Sequence, residues 1–193
     1  MRERWQKAFD QVRGEHPAPW GFLFSPRIVV VPGRLARFYG GAVTWFRWIA
    51  VGEDLVEAAP DLVVRYVVCH EWGHVRCGHP IASLVILCCA IVTVFCPRTP
   101  QWALLGWSIG MAGLAAIVWA TRLQREFEAD DKAAETVGLN GVRDGLLWMV
   151  TTRAGGLNPD RRARLVRTGW RDDSAGAPSS STAAAAATPT PRI

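Results

Sequence analysis

Three residues near the middle of the chain have the types and the spacing of a catalytic metal site. His70, Glu71 and His74 form an H-E-x-x-H sequence. Residues four apart on a helix lie only about 40° apart around its axis, so both imidazoles would project from one face and could bind a single zinc ion. Glu71 lies about 100° further round, where its carboxylate could act as a general base without binding the metal. The alternative is a helix that buries two histidines against apolar neighbours, which would be costly for its polar groups.

A catalytic zinc site also needs a third protein ligand, and the acidic residues 125–131 offer the best candidates. Glu126 and Asp130 are four residues apart and therefore share one helix face. We predict Glu126 as the third ligand and Asp130 as the acceptor that orients a ligating histidine through its other ring nitrogen. Glu128 would point to the opposite side. A solvated, charged helix face is the alternative interpretation of this segment.

Two other side chains close to the motif could supply the third ligand. His79 lies nine residues after His70, about 180° round the same helix. Cys77 falls on the ligand face, but a straight helix would place it about 10 Å along the axis from His70, too far for one tetrahedral site. Their alternative roles are a capping or cleft histidine and a packed thiol, so both are weaker candidates than Glu126.

Helices and a small β-sheet are predicted around these residues, on the basis of apolar spacing and of β-branched and aromatic content. The expected elements are helices over residues 2–14, 121–137 and 141–149, strands over residues 27–31 and 44–51, and a motif helix that begins near Asp61. Gly138 would end the helix that carries Glu126. The 44–51 strand, which contains no Gly or Pro, is expected to be an edge strand beside the cleft, onto which an extended substrate adds as a further strand.

Two long uncharged runs follow the motif, at residues 81–96 and 102–120, with a Pro-containing turn between them. They predict a two-helix transmembrane hairpin over residues 81–120. The first run is short, so two core helices of a soluble protein are the alternative. Of the 22 Lys and Arg residues, one, Arg98, lies between the runs. The positive-inside rule would then place both termini and the active site in the cytoplasm of a multi-pass cell-membrane protein.

Composition indicates which partners, which redox compartment and which domain organisation to expect. The formal charge is +5, but the basic residues are scattered and lack a base-stacking platform, so we expect no nucleic-acid partner. The five cysteines include no C-x-x-C pair, which argues against a disulfide framework and for a reducing compartment. Residues 172–193 are rich in Ala, Ser, Thr and Pro and predict a disordered tail. A single domain over residues 1–171, with the hairpin inserted, is expected.

Two sequence segments resemble one known family. H-E-W-G-H-V-R-x-x-H-P at residues 70–80, followed after two apolar runs by R-E-F-E-A-D at residues 125–130, is similar to the membrane metallopeptidases that include the heat-shock protease HtpX and the CAAX prenyl endopeptidase. The resemblance covers roughly residues 26–170. It implies zinc bound by His70, His74 and Glu126, with Glu71 as the catalytic glutamate and Asp130 as the aspartate of E-x-x-x-D. Trp72, and Asn158-Pro159 in place of a downstream His-Pro pair, depart from the family pattern.

These observations together predict an α+β, mostly helical, zincin-like metallopeptidase domain with a small sheet, interrupted by the transmembrane hairpin. One zinc ion per chain and a protein or peptide substrate are expected. Candidates to stabilise the oxyanion are His79, Tyr66 and Arg162. Two alternatives remain, a soluble zinc peptidase and a non-catalytic zinc-fold module that binds peptides or regulates a partner.

Overall fold

The fold is described from a computed structural model. It describes residues 1–19, 26–36, 42–45, 48–81, 84, 85, 88, 91, 101–152 and 157–171. The elements in chain order are α1 Arg2–Glu15, β1 Arg27–Val31, α2 Gly33–Ala36, β2 Ala42–Trp45, β3 Trp48–Gly52, α3 Glu53–Ala58, α4 Asp61–Arg76, α5 Gln101–Ala120, α6 Arg122–Thr152 and α7 Pro159–Arg167. The predicted mostly helical fold with a small sheet is therefore confirmed.

The small sheet has the strand order β1-β3-β2. β1 is parallel to β3, with Ile28 opposite Ile49, and β2 is antiparallel to β3, with Trp45 opposite Trp48. The prediction of one strand over residues 44–51 is therefore wrong, because this segment contributes to two strands. No Gly or Pro marked the division between them. Among the described strands, β1 and β2 are the edge strands and β3 is central, and β2 lies against α4.

The central helix, α4, carries the H-E-x-x-H sequence and is covered by α1. Apolar side chains at spacings of three and four give α1 one buried face, formed by Trp5, Phe9 and Val12. The Phe9 ring meets the edge of the Trp72 ring with centroids 5.5 Å apart, and the Trp72 indole donates a 2.6 Å hydrogen bond to the His16 carbonyl. Trp72 therefore fixes α1 onto the back of the motif helix. The helix predicted over residues 2–14 is confirmed.

The second long helix, α6, is broken where the sequence predicted. Gly138 has φ 75° and ψ 164°, which is not helical and which L side chains rarely adopt. The segment before Gly138 carries Glu126 and Asp130, and the segment after it packs Gly145 against the Tyr66 ring of α4. The two helices predicted on either side of Gly138 are thus confirmed.

A glycine in the motif allows α4 and α6 to approach closely. A Cβ atom added at Gly73 would lie 2.8 Å from the carbonyl oxygen of Ala129 and 3.0 Å from its Cα. Both distances are shorter than ordinary van der Waals contact, so a larger residue at Gly73 would push the helices apart. The short distance between the helices lets side chains from α4 and α6 meet at one point.

The predicted transmembrane hairpin is wrong for the part of the chain that can be examined. Among the described residues, no helix is long and apolar enough to cross a membrane. The second uncharged run forms α5, but a run without charge is also compatible with helices that do not span a bilayer, so it did not specify a span. Most of residues 82–100, and the predicted tail at residues 172–193, lie outside the described residues. The cytoplasmic orientation was inferred from the hairpin and stays a prediction.

Candidate metal centre

The three predicted metal ligands converge between α4 and α6. One donor atom from each of His70, His74 and Glu126 lies within 4.8 Å of the others. The Nε2 atom of His70 is 3.3 Å from Oε2 of Glu126, and the Nε2 atom of His74 is 3.5 Å from Oε1. Two imidazoles and one carboxylate are a ligand set typical of a catalytic zinc site that keeps a position open. The donors of this structure therefore fit the expected ion.

Glu71 lies beside these donors, and its carboxylate is hydrogen-bonded to the sheet. The side chain is 4% exposed, and Thr44 of β2 donates a 2.8 Å hydrogen bond to its Oε2 atom. Burial raises the pKa of Glu71, although the charge of His70 and the Thr44 hydroxyl partly oppose this rise. A carboxylate with a raised pKa is suited to accept a proton near neutral pH.

Asp130 holds the first histidine in position from behind. Its Oδ1 atom is 2.9 Å from Nδ1 of His70 and accepts a 3.0 Å hydrogen bond from the Tyr66 hydroxyl. A carboxylate at Nδ1 favours the tautomer in which Nδ1 carries the proton, which leaves Nε2 of His70 available for a metal. This is the position that was predicted for Asp130.

Arg164 of α7 completes the group and was missed by sequence reasoning. Its guanidinium donates to Asp130 at 2.8 and 2.9 Å, to Glu126 Oε2 at 2.7 Å and to the Tyr66 hydroxyl at 2.9 Å. Its nitrogen is also 3.4 Å from Nδ1 of His70. An arginine can bridge several oxygens at once because its five donors form a planar fork.

The local sequence of α7 explains how Arg164 reaches the centre. The Asn158 side chain caps the helix by accepting a 2.8 Å hydrogen bond from the Arg161 amide, and Leu165 is fully buried. With Leu165 turned inward, the adjacent Arg164 lies at the border of the core, while Arg162 is exposed. Arg162, an oxyanion candidate, therefore does not lie at the ligand group. The signal in the sequence was the Arg-rich segment itself, which did not reveal which arginine was central.

Neighbouring charges shift the pKa values of the residues in the centre. Burial and the charge of Arg164 disfavour protonation of His70, but the hydrogen bonds that it donates to Asp130 and Glu126 outweigh them and raise the pKa of His70 to about 9. At His74, burial and the neighbouring charge of His70 lower the pKa to about 3. Despite burial, hydrogen bonds and attraction to His70 and Arg164 hold the pKa values of Glu126 and Asp130 well below their usual range. In the metal-free protein His70 is therefore the positively charged imidazolium at neutral pH, with a proton on each ring nitrogen.

A cavity of about 480 Å³ opens onto these residues. One side is formed by Ala42, Val43 and Thr44 of the edge strand β2. Arg125 of α6 and Arg161 of α7 also line the cavity, so basic groups form part of its wall. Tyr66 and His79, the other oxyanion candidates, also line it. The arrangement places a strand edge and the ligand group in the same cleft.

His79 and Glu128 occupy positions that were not expected. The Nδ1 atoms of His74 and His79 are 2.8 Å apart, and the Nε2 atom of His79 is 3.1 Å from Oε2 of Glu128. Glu128, which was predicted to point away from Glu126, thus contacts His79 and belongs to a separate group from His70, His74 and Glu126. The two side chains meet because the chain turns at Gly78, after α4, which brings His79 to α6.

Comparison with known proteins gave one match. A family model described as peptidase family M48 matches residues 28–154, about two thirds of the chain. This segment runs from β1 to the end of α6 and includes His70, Glu71, His74, Glu126 and Asp130. No curated protein and no solved structure gave a match.

Proposed function

The chain belongs to peptidase family M48, and we propose that it is a zinc-dependent endopeptidase that hydrolyses bonds within protein or peptide substrates. The observation that carries this proposal is the convergence of His70, His74 and Glu126, with the separate carboxylate of Glu71 beside them. The resemblance inferred from the sequence motifs is confirmed by the match.

One zinc ion per chain would be held by His70, His74 and Glu126. When bound, zinc polarises the scissile carbonyl and increases the acidity of water. The ligand types and their mutual distances support this ion, and Asp130 supports the tautomer of His70 that such binding needs.

Glu71 acts as the general base and then as the general acid. Its ionised carboxylate accepts a proton from the attacking water as the new carbon–oxygen bond forms at the scissile carbonyl. It then returns this proton to the nitrogen of the leaving amine as the carbon–nitrogen bond breaks, so the residue ends in its starting state. Thr44 orients the carboxylate through its 2.8 Å hydrogen bond to Oε2.

We place the substrate along β2. This strand is one of the two edges of the described sheet, and three of its residues line the cavity that contains the ligand group. An extended peptide that pairs with a strand edge uses backbone hydrogen bonds and can continue beyond both ends of the site, which favours cleavage within a chain. The predicted edge strand is therefore retained as β2 alone, and Ile49, which lies in the central strand β3, is not part of it.

The decisive experiment compares zinc content with hydrolysis. Wild-type protein should contain about one zinc per chain and cleave an unfolded protein. Glu71→Gln keeps the shape of the side chain but accepts no proton, so it should keep its zinc while turnover falls by a factor on the order of 10² to 10⁴. Glu126→Ala removes a ligand and should lose both zinc and activity. Zinc is measured by atomic emission.

Two outcomes would contradict the proposal. Wild-type protein that binds zinc but cleaves no unfolded protein would favour the non-catalytic peptide-binding alternative. Loss of zinc in Glu71→Gln but not in Glu126→Ala would exchange the roles assigned to these residues.

A further inference from the structure

A second group of side chains that could hold a metal ion lies next to His74. The Cys77 Sγ atom, a ring nitrogen of His79 and a carboxylate oxygen of Glu128 are all within 4.8 Å of one another. The three donors of the first group meet the same limit. A thiolate, an imidazole and a carboxylate are all ligand types that zinc accepts, so this second group has suitable chemistry as well as suitable distances.

The end of α4 explains why these donors meet. After Arg76 the Cys77 amide donates to the Gly73 carbonyl at 2.9 Å, and Gly78 then has φ 74°, a left-handed conformation that favours glycine. A straight helix would have carried Cys77 and His79 away from the centre. The turn at Gly78 instead places both beside Glu128, which α6 contributes.

We propose that Cys77, His79 and Glu128 form a second site for a zinc-like divalent cation, and that metal binding there opposes metal binding at the first site. All three side chains are partly exposed, so an ion can enter from solvent and water can complete a four-coordinate shell. Cys77 binds as a thiolate and releases its proton to water. The second site has the lower affinity because its three side chains are partly exposed, whereas His70 at the first site is buried and held in position by Asp130.

Opposition between the sites follows from the hydrogen bond between His74 and His79. A metal on Nε2 of His74 leaves the proton on Nδ1, which donates to Nδ1 of His79 across 2.8 Å. Neutral His79 then carries its own proton on Nε2, where it donates to Glu128. The nitrogen that a second metal needs is therefore occupied.

A metal bound first at the second site would oppose binding at the first site for the same reason. A metal on Nε2 of His79 leaves a proton on Nδ1, so His74 must accept with its own Nδ1 and carry a proton on Nε2. If both sites were filled, two N–H groups would face each other and the hydrogen bond would be lost. Coupling of this kind is reciprocal, so each ion weakens binding of the other. This opposition depends on the proposed zinc at the first site, whereas the second site itself does not.

Anaerobic titration of the full-length, metal-stripped protein with Co²⁺ tests the second site. A cobalt–thiolate bond gives a sulfur-to-cobalt charge-transfer band in the near ultraviolet, and the first ligand group contains no sulfur. We expect the band to develop with the second equivalent of Co²⁺. Cys77→Ser should abolish it, and Cys88→Ser, which changes another thiol, exposed and outside the group, should retain it. Absence of the band in wild-type protein, or its survival in Cys77→Ser, would overturn the second site.

Two further variants complete the test. Glu128→Gln, which weakens a ligand without touching a thiol, should raise the Co²⁺ concentration at half-maximal band by roughly tenfold or more, and an unchanged midpoint would exclude Glu128 as a ligand. Glu126→Ala should develop the band at a lower Co²⁺ concentration than wild-type protein, because its first site is empty. Equal midpoints would overturn the opposition between the sites. Retention of one zinc by a protein that carries both Glu126→Ala and Cys77→Ser, in which each site lacks a ligand, would instead refute the proposed first site.

Discussion

Gly73→Ala tests whether the spacing between α4 and α6 sets the metal centre. The added Cβ would lie 2.8 Å from the Ala129 carbonyl oxygen, whereas ordinary contact begins at 3.4 Å. The obstructing atom belongs to the backbone, so no side-chain rotation relieves the contact, and the helices must separate locally by about 0.6 Å. Zinc ligands are held within about 0.2 Å of their usual distances. We therefore expect zinc affinity to fall by roughly 10- to 100-fold, a range typical of disturbed support around a metal site.

The expected change in stability is the difference between two opposing effects. Overpacking costs about 1–3 kcal/mol, and replacing Gly by Ala inside a helix contributes about 1 kcal/mol in the opposite direction. The free energy of unfolding of Gly73→Ala should therefore fall by about 0–2 kcal/mol. Gly14→Ala is the matched control, because nothing lies within 4 Å of an added Cβ there. That variant should gain up to about 1 kcal/mol and keep its zinc affinity.

Urea denaturation of the metal-free proteins and competition with a chromogenic chelator give the two quantities. A Gly73→Ala protein that is stabilised as much as Gly14→Ala, and that binds zinc as tightly as wild-type protein, would refute the reasoning. In that case the distance between the two helices would not determine how His70, His74 and Glu126 meet.

Three further predictions concern the charges of the centre. Thr44→Val removes a hydrogen-bond donor that stabilises ionised Glu71, so the pKa of Glu71 should rise further. The acid limb of the kcat/KM profile should therefore move to higher pH, and an unmoved limb would exclude this role of Thr44. Arg164→Met removes the cation that bridges buried Asp130 and half-buried Glu126. It should destabilise the metal-free protein by about 3 kcal/mol in urea denaturation, against less than about 1 kcal/mol for Arg167→Met, whose ion pair is exposed. Equal losses in the two variants would contradict this role of Arg164. Because the pKa of His70 is about 9, zinc must displace a proton from His70 at neutral pH. The apparent zinc affinity in chelator competition should rise about tenfold per pH unit from pH 7 to 8 and level off above about pH 9. An affinity that does not change with pH would contradict the proton on His70.

Local periodicity was sufficient to predict much of the fold. Apolar spacing predicted α1, and Gly138 predicted the break in α6. Both signals are local, because the conformation of a helical residue depends mainly on neighbours three or four positions away. The division into β2 and β3 was not predicted, since the 44–51 run has high strand content throughout and contains no Gly or Pro. The prediction of a transmembrane hairpin was wrong for a related reason, because absence of charge does not distinguish a membrane span from other apolar helices.

The sequence by itself determined which residues of one helix could bind a metal. His70, Glu71 and His74 are fixed relative to one another by the helical repeat, and Glu126 and Asp130 are related in the same way on a second helix. Spacing along the chain carries this information because both sets are local.

Tertiary structure alone decided how those sets meet and what surrounds them. The close approach at Gly73 brings Glu126 to the two histidines, Thr44 reaches Glu71 from β2, and Arg164 reaches Asp130 from α7. The turn at Gly78 likewise moved His79 next to His74, against the straight-helix expectation. These contacts join residues that are far apart in sequence or lie across a helix end, so they depend on the packing of whole elements, which no local period encodes.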